Sequence, residues 1–373
     1  MNTEKRKVFV CALSLGIGGV EKALLGLLNS YDYNEVDVDL LLANHDGEYI
    51  KYLKPQVNIL PKNDFLSWVL LPKGHIIKSV CQLVFNPYQL WCFVKNITWG
   101  VYHKNMAQAR QRMWRDVVDT LPHLKTKYDE AFDFSGLFRS YVLECVNAKK
   151  KYTWIHSDYN VYGYDKSIDY VLLNQFDKIY CVSETCKTIF DNVYPLLSNK
   201  SEVKQNIVDI NFIESQLNGK SFEDGYKGVR LLDVTRIDPN KGLDIAVKVC
   251  KLLKEKGLDF RWYILGNDPL GYRKELENLI HQYEVEDRFI LLGFASNPYP
   301  FMNDANIIVH FSRFEGRSVF IDEALALKKP ILLTNYPTAK DQIKNGVNGW
   351  ICEFDENELC EKLTVLILSL IHI

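Results

Sequence analysis

The sequence lacks the cysteine spacing of a disulfide framework or a zinc knuckle. Nine cysteines are scattered along 373 residues, and no two of them form a C-x-x-C pair. An odd number without regular spacing favours neither paired disulfides nor a structural metal. We therefore expect most thiols to be buried, reduced and inert, and we expect no metal site.

An excess of one charge is also missing. Lys and Arg total 45, Asp and Glu total 47, and the formal net charge is -2. This balance gives the molecule as a whole no electrostatic attraction for nucleic acid, so no nucleic-acid partner is expected. An anionic ligand would have to meet a few local cations.

Long hydrophobic runs are absent too. No uninterrupted stretch reaches the roughly 18 apolar residues of a membrane-spanning helix. The start, MNTEKRKVFVCALSLGIGG, resembles a signal peptide in its basic beginning and short apolar run. That run passes directly into a glycine-rich turn and an amphipathic helical pattern, which is typical of a buried first strand. We expect a cytoplasmic protein, with peripheral contact at the inner face of the membrane left open.

What is present is an ordinary globular composition, with 47% hydrophobic and 25% charged residues. The length exceeds what one hydrophobic core usually serves. Short apolar runs such as KVFVCAL and VDVDLLLA alternate with helical patterns such as VEKALLGLLNS, and the second half repeats this from RLLDVT onwards. The pattern predicts an α/β protein with two doubly wound domains, residues 1–205 and 229–373, joined by a polar linker at 206–228.

The segment from about Asp64 to Trp114 is rich in aromatic and basic residues. One interpretation is a helical surface that meets a lipid or lipid-linked acceptor. The other is a set of core-facing helices whose lysines extend to solvent, and this is favoured because apolar helical stripes are usually core. The side chains in question are Trp68, Trp91, Trp99, Lys73, Lys78 and Lys95.

The C-terminal LCEKLTVLILSLIHI carries no helix stop signal. It is either a buried terminal helix or a chain cut short after about Leu366, and the second interpretation is slightly favoured.

A first candidate site is the glycine loop formed by Gly16, Gly18 and Gly19, between the first strand and the first helix. Glycines let the backbone approach a ligand closely, and the N–H groups at a helix start favour anions. The loop matches neither G-x-G-x-x-G, because position 21 is Glu, nor a P-loop. A tight βα turn without a ligand is the alternative.

A second candidate is TRIDPNKGLDIAVKV, in which Arg236 ends a strand and Lys241 precedes a helix. Two cations at one strand–turn–helix corner can converge on a diphosphate, with Arg as a bidentate fork and Lys as a point charge. A solvated basic loop is the alternative.

A third candidate follows the strand ANIIVHF, where Glu315 lies in a loop and Glu323 lies about two helical turns later. Two carboxylates there can receive sugar and ribose hydroxyls from one ligand. Gly316 and Ser318 suit a helix start that presents N–H groups to phosphate. We expect the residues of this helix start to contact the same ligand, namely Gly316, Arg317, Ser318 and Val319.

Together these segments resemble the family 4 glycosyltransferases of GT-B architecture, including bacterial capsular and exopolysaccharide enzymes. GIGGVEKALLGLL is similar to the family's N-terminal glycine loop, and TRIDPNKGLDIAVKV is similar to its phosphate-binding segment. ILGNDPLGYRKELENLI, FILLGF, ANIIVHFSRFEGRSVFIDEALALKKPILLTN and GVNGWIC follow in the family's order. The resemblance covers nearly the whole chain and is more specific than any single motif.

The resemblance implies two Rossmann-like domains facing a central cleft, with the acceptor side N-terminal and the nucleotide-sugar donor mainly C-terminal. It also implies a retaining reaction without a divalent metal or other cofactor. Arg236 and Lys241 would neutralise the leaving diphosphate, Glu315 would orient the donor sugar, and Glu323 would bind ribose.

Three further positions follow from the same resemblance. Gly18 and Gly19 would approach the phosphates or the sugar from the opposite domain. His156, in WIHSDY at a strand end, matches a histidine that the family often places near the transferred sugar. A capping role is the alternative for His156.

The sequence departs from the family after the first glutamate, where Gly316-Arg317-Ser318 replaces the usual Gly-Phe-Gly. Arg317 is therefore a candidate for contact with an unusual or acidic sugar. The expected function is transfer of a hexose from a nucleotide-sugar, of which UDP-sugars are commonest in the family, to a polysaccharide or lipid-linked oligosaccharide. The alternatives are a nucleotide-sugar epimerase or phosphorylase of the same architecture and a non-catalytic, sugar-nucleotide-binding scaffold.

Overall fold

The chain forms two compact units, Met1–Ile207 and Val208–Ile373. The structure is a computed structural model and describes residues 4–62, 66 and 86–371. Each unit has its own parallel sheet.

The first unit alternates strands and helices along the chain. Its strands are β1 (Arg6–Ala12), β2 (Val36–Leu42), β3 (Asn58–Ile59), β4 (Lys127–Asp133), β5 (Asn147–Ile155), β6 (Lys178–Cys181) and β7 (Ser201–Val203). Its described helices are α1 (Gly19–Ser30), α2 (Pro87–Tyr102), α3 (Met106–Val117), α4 (Arg139–Cys145), α5 (Lys166–Leu173) and α6 (Glu184–Val193). Short 3-10 helices lie at Ile50–Tyr52, Val118–Thr120, Tyr159–Tyr162 and Pro195–Leu197.

Within the described residues, the sheet of the first unit has the strand order β3-β2-β1-β4-β5-β6-β7. Strand β1 pairs in parallel with β2 from Arg6↔Val36 to Ala12↔Leu42, and with β4 on its other side. Consecutive residues Val8, Phe9 and Val10 are all fully buried. Burial of successive residues means that both faces of the sheet are covered, which explains why the strand reads as a continuous apolar run.

The second unit repeats this plan. Its strands are β8 (Val229–Val234), β9 (Phe260–Leu265), β10 (Phe289–Gly293), β11 (Ile307–His310), β12 (Ile331–Thr334) and β13 (Trp350–Cys352). Its helices are α7 (Ile210–Ser215), α8 (Leu243–Glu255), α9 (Arg273–Gln282), α10 (Tyr299–Asp304), α11 (Val319–Ala326) and α12 (Glu356–Ile371), with 3-10 helices at Pro239–Lys241 and Ala339–Asp341.

The second sheet has the order β10-β9-β8-β11-β12-β13, so the strand order reverses beside β8, as it does beside β1 in the first sheet. Two core clusters cover its faces: Leu231 and Trp262 belong to one, and Leu232 and Tyr263 belong to the other. Both sheets therefore have the doubly wound, Rossmann-like topology, in which ligands bind at the carboxyl ends of the strands near the reversal. The predicted fold class of two such domains is confirmed.

Residues 208–228, predicted to be linker, lie within the second unit. Helix α7 starts after Asp209, whose side chain accepts from the Phe212 N–H, and it buries Ile213 in the core. Farther along, Asp224 accepts hydrogen bonds from Arg230 at 2.9 Å and Arg261 at 2.8 Å. These contacts anchor the segment to β8 and β9.

The aromatic and basic segment contains an antiparallel pair of helices, α2 and α3, packed on the first unit. The Arg112 guanidinium lies 4.1 Å from the centre of the Trp99 ring. Cys92 and Phe93 are buried, whereas Trp91 and Tyr102 are 57% and 81% exposed. Trp68, Lys73 and Lys78 lie outside the described residues.

The apolar C-terminal segment forms helix α12. Leu359, Leu363 and Ile367 are fully buried in the core of the second unit. The apolar face of the helix therefore packs against this core as far as Ile367. None of the helices in residues 4–62, 66 and 86–371 has the length and hydrophobicity needed to cross a membrane. The cysteines that the structure describes are buried, and no two of them form a disulfide with each other.

Helix α8 begins and ends at glycines with left-handed backbone, Gly242 at φ 63° and Gly257 at φ 71°. A Cβ on Gly242 would lie 1.9 Å from the Phe311 carbonyl oxygen, whereas a Cβ on Gly257 would have nothing within 4 Å. Gly257→Ala should therefore cost only the backbone penalty of about 1 kcal/mol. Gly242→Ala should cost at least ~2 kcal/mol more, because the turn must also move.

Urea unfolding of both variants measures this difference. Equal losses in the free energy of unfolding would show that contact with Phe311 is not what requires glycine at position 242.

Candidate active site

Lys241 is held by the turn that follows β8. Asp238 starts the 3-10 helix Pro239–Lys241 and accepts a hydrogen bond from the Asn240 N–H at 2.9 Å. Gly242 then takes a left-handed conformation and opens α8. Lys241 is thus the last residue of the 3-10 helix, beyond the carboxyl end of β8 and just before α8.

The loop after β11 is pinned onto this turn. The Arg313 N–H donates to the Asn240 carbonyl oxygen at 2.8 Å, and the Arg313 guanidinium grips both oxygens of Asp244 at 2.8 and 2.7 Å. On the other side, the Thr338 hydroxyl donates to the Glu315 carbonyl oxygen at 2.9 Å. These contacts fix the backbone of residues 312–315 beside the Lys241 turn.

As a result, Lys241 and Glu315, which are 74 residues apart in sequence, form a direct ion pair. The Lys241 Nζ lies 2.6 Å from Glu315 Oε1, and both side chains are about 15% exposed, at 14% and 15%. The same Oε1 lies 2.8 Å from His310 Nε2, and His310 Nδ1 lies 3.0 Å from Asp233 Oδ1. We call this series of four side chains in contact the Asp233–His310–Glu315–Lys241 relay.

The relay sets the charge of its members. Burial disfavours an ionised Glu315, but Lys241 and His310 outweigh it and lower the pKa of the carboxyl to about 2. Burial also disfavours a charged His310, but Asp233 and Glu315 raise the pKa of the imidazole to about 9. Near neutral pH, Glu315 is therefore an ionised acceptor and His310 is a cation.

His310 and Asp233 were missed by the sequence analysis. Each lies within an apolar strand, at or near its end, and neither belongs to a motif by spacing. They are neighbours because β8 and β11 pair, with Ile308 opposite Leu232, although the strands are far apart in sequence. The available signal was a polar residue near the carboxyl end of each of two largely apolar strands, next to last in β8 and last in β11.

Arg236 ends up in a different environment from Lys241. Its side chain is 61% exposed, and among the described residues its guanidinium reaches only Asp238, at 3.8 Å. An ion pair of that length at an exposed site holds the side chain weakly. The guanidinium is thus accessible to an incoming anion, whereas the Lys241 ammonium is already paired.

The helix start at residues 316–319 is fixed by Gln342. Its Oε1 accepts from the Ser318 N–H at 3.0 Å, and its Nε2 donates to the Ser318 carbonyl oxygen and to Asp322 Oδ1, both at 2.8 Å. Arg317 grips Asp322 through Nε at 2.9 Å and Nη2 at 2.8 Å, with both side chains under 10% exposed. The Arg317 fork and the Ser318 N–H, both predicted to contact the donor, therefore have protein partners here.

The first turn of α11 begins at Val319, where helix geometry leaves N–H groups without acceptors in the helix itself. Glu323 follows on the same helix, is 3% exposed and accepts from the Tyr299 hydroxyl at 2.7 Å. Gly316 is buried beside Glu315. The predicted donor-binding roles of Gly316, Val319 and Glu323 remain predictions.

In the first unit, the glycine loop joins β1 to α1. Gly18 is the residue before the helix, has an extended backbone and supplies no side-chain cap. A Cβ on Gly18 would lie 2.2 Å from Glu21 Oε2, so the Glu21 carboxylate folds over the start of its own helix. The Gly16 N–H is 3.3 Å from the Ser14 hydroxyl, and Gly19 is exposed. Their predicted ligand contacts remain predictions.

His156 follows β5 at the carboxyl edge of the first sheet. Its Nε2 lies 2.6 Å from the Phe134 carbonyl oxygen, which can only accept, so Nε2 carries the proton. Burial lowers the pKa of His156 to about 4, and the ring is therefore neutral near pH 7. This leaves Nδ1 as an acceptor without a protein donor among the described residues.

Over residues 4–62, 66 and 86–371, no three His, Cys, Asp or Glu side chains are grouped so that they could hold a metal ion. The cations that the geometry provides are Lys241, His310 and Arg236.

Comparison with known proteins agrees with this fold. Residues 223–369 match the sequence model of the family described as glycosyl transferases group 1. This part of the chain contains Arg236, Lys241, Glu315 and Glu323. The resemblance seen in the sequence motifs is thereby confirmed.

Individual relatives match over similar spans. A glycosyltransferase of Methanocaldococcus jannaschii, MJ1059, is 26% identical over 172 residues, 45% of this chain and 42% of its own. The putative colanic acid biosynthesis glycosyltransferase WcaL of Escherichia coli is 30% identical over 144 residues, 36% of this chain and 35% of its own. The chain thus matches less than half the length of these relatives.

The fold is shared over a greater length. The crystal structure of Anabaena Alr3699/HepE in complex with UDP and glucose superposes with a TM-score of 0.67 at 16% identity, covering 97% of this chain and 90% of that one. At this identity the similarity shows the fold alone.

Arg317 and Arg313 each bind a carboxylate through two nitrogens, and comparing them tests whether the buried pair stabilises the start of α11. Arg317→Met would leave Asp322 buried without its cation and should cost about 3 kcal/mol in free energy of unfolding. Arg313→Met breaks the similar fork on Asp244, where the side chains are 38% and 33% exposed, and should cost under ~1 kcal/mol.

Urea unfolding followed by circular dichroism measures both losses. A loss for Arg317→Met no greater than that for Arg313→Met would show that the buried pair does not hold the start of α11.

Proposed function

We propose that the protein is a retaining, metal-independent glycosyltransferase that moves a hexose from a nucleotide-sugar, most simply a UDP-sugar, to a polysaccharide or lipid-linked acceptor. The observation that carries this proposal is the 2.6 Å contact between Lys241 and Glu315 within the glycosyl transferases group 1 region. It supports the proposal because a cation that can meet phosphate lies next to an ionised carboxylate that can accept hydrogen bonds from sugar hydroxyls.

The cation has a direct role in the chemistry. Cleavage of the anomeric C–O bond builds negative charge on the departing diphosphate, so a preorganised cation stabilises the transition state more than the ground state. Lys241 is held at the carboxyl edge for this role, and the exposed Arg236 offers a second, bidentate contact. Together they provide the positive charge that a divalent metal provides in other phosphate-transfer sites.

The charge state of the carboxylate argues against a protein base. A group whose pKa is about 2, as for Glu315, accepts a proton poorly near neutral pH. The same holds for His156, whose pKa is about 4. Retaining transfer in which a leaving phosphate oxygen takes the acceptor's proton needs neither as base. In this proposal Glu315 and the neutral His156 accept hydrogen bonds from sugar hydroxyls, and Glu323 binds ribose.

The proposed acceptor is supported by similar proteins and by one exposed helix surface. WcaL is named for colanic acid biosynthesis, and HepE was crystallised with UDP and glucose. Helix α2 presents exposed aromatic side chains, Tyr88, Trp91 and Tyr102, and Lys95 lies 4.9 Å from the Trp91 ring centre. Amphipathic aromatic rings beside lysines suit the membrane interface. We therefore propose a cytoplasmic enzyme that contacts the inner membrane face, where a lipid-linked acceptor would lie.

A donor panel tests the proposal first. A ligand that binds only the folded protein raises its apparent stability. One class among UDP-, GDP- and ADP-sugars should raise the melting temperature of the wild-type chain selectively, and Arg236→Ala should reduce the shift. Absence of a shift with any donor would contradict a nucleotide-sugar site.

Lys241→Met tests the catalytic role. Loss of a charge that stabilises the transition state should lower kcat for transfer by roughly 100-fold or more. Lys254→Met is the matched control, because Lys254 lies on the neighbouring helix α8 and pairs with Asp287 at 2.7 Å, away from the relay. Transfer measured with the selected donor should be unchanged in the control.

Undiminished turnover in Lys241→Met would remove the proposed phosphate contact. Donor binding without transfer or hydrolysis in the wild-type chain would instead support a sugar-nucleotide-binding scaffold.

A further inference from the structure

His310 is a buried, charged residue to which the proposed chemistry assigns no step. Its ring is 2% exposed and contacts a carboxylate at each nitrogen, Asp233 at Nδ1 and Glu315 at Nε2. Burial raises the pKa of Asp233, and the contact with His310 and the charge of Lys241 oppose that rise. With both carboxylates ionised, each only accepts a hydrogen bond, and both ring nitrogens then carry protons. The geometry therefore holds His310 as an imidazolium.

The proposed function creates a need for this charge. Without donor, Glu315 Oε1 accepts from both the Lys241 ammonium and the His310 ring. If Lys241 is to neutralise a diphosphate, its ammonium must turn at least partly from Glu315 to the phosphate. If Lys241 were its only cation, a carboxylate that is 15% exposed would then be strongly destabilised and would take up a proton more readily.

We propose that His310 is a positioning residue: it is the permanent counter-ion of Glu315, and it keeps that carboxylate ionised and in place while Lys241 transfers its charge to the donor diphosphate. The inference rests on the proposed function and deepens it. Asp233 contacts the opposite side of the His310 ring, where it orients the ring and balances the charge of the imidazolium.

The surroundings of the ring support a fixed cation. Asp233 and Glu315 raise the pKa of His310 to about 9 against the opposing effect of burial. The Tyr336 ring lies 6.2 Å from the imidazole, and its hydroxyl is buried without a partner among the described residues. Burial raises the pKa of that hydroxyl, so it stays neutral. The titratable groups that face His310 are Asp233, Glu315 and Tyr336, and Lys241 lies on the far side of Glu315. Arg317 and Asp322 act on the Tyr336 hydroxyl behind that ring.

The charges of the relay are consistent with a Lys241 that changes its partner from Glu315 to the donor diphosphate. Two carboxylates and two cations give a neutral relay in the donor-free state. When Lys241 pairs with phosphate, one cation still separates the two carboxylates. Without His310, the same movement would leave both carboxylates without a cation in the relay.

His310→Gln tests the proposal in the full-length chain. Gln retains an amide that can donate to Glu315 but carries no charge. We expect the KM for the donor to rise at least about tenfold with a smaller change in kcat, because the cost falls on releasing Lys241. We also expect the acid limb of the kcat/KM profile to move up by at least about one pH unit, because Glu315 becomes easier to protonate.

Tyr336→Phe is the matched control. It alters the ring that packs against His310 and removes a hydroxyl without a described partner, so neither the donor KM nor the acid limb should change. Asp233→Asn is the second variant in case His310→Gln does not fold; it keeps the ring but weakens its charge, and it should shift both quantities in the same direction. A purely structural role would lower the amount of active protein and leave KM and the pH profile unchanged.

A measurement without turnover complements the kinetics. In protein labelled with 15N-histidine, the resonance absent from His310→Gln should report an imidazolium at pH 7, both alone and with saturating UDP. A neutral ring in either state overturns the proposal.

Failure of the inference and failure of the proposed function give different results. An active wild-type enzyme whose His310→Gln variant keeps the same donor KM and acid limb overturns the inference alone. A wild-type chain that neither binds nor turns over any donor in the panel overturns the proposed function, and the inference with it.

Discussion

A single buried carboxylate, Glu315, determines how the second unit is arranged at its carboxyl edge. An ionised group with little exposure requires cations and fixed donors around it. The structure meets that requirement with Lys241 and His310 at 2.6 and 2.8 Å. The loop that carries Glu315 is in turn held against the Lys241 turn by Arg313. The local backbone and the charges of the site are therefore one cooperative unit.

The doubly wound topology makes this arrangement available. The strand order reverses beside β8, so the loops after β8 and β11 lie next to each other at one edge of the sheet. Gly242 permits their close approach, because any Cβ would meet the Phe311 carbonyl oxygen. The fold thus brings the two loops next to each other, and a few polar contacts hold their side chains in fixed positions. A site preorganised in this way can stabilise charge during bond cleavage.

Several parts of the site could be predicted from the sequence, and others could not. The segments around Arg236, Lys241 and Glu315 were recognisable because their turn residues and flanking apolar runs are local. Gln342 was not, although its side chain holds both Ser318 and Asp322. Arg317 illustrates the limit: its position suggested contact with a sugar, but the structure pairs it with Asp322, five residues later. Side-chain partners depend on rotamers and packing that spacing does not encode.

By itself, the sequence determined the alternation of strands and helices, the two doubly wound domains and the loops at which ligands would gather, because apolar periodicity and turn chemistry act over a few residues. Only the tertiary structure decided that Asp233, His310, Glu315 and Lys241 form one relay. Asp233 and His310 are 77 residues apart and meet because β8 pairs with β11. Which strands pair is fixed by burial of both faces of the whole sheet, and that is a property no local pattern contains.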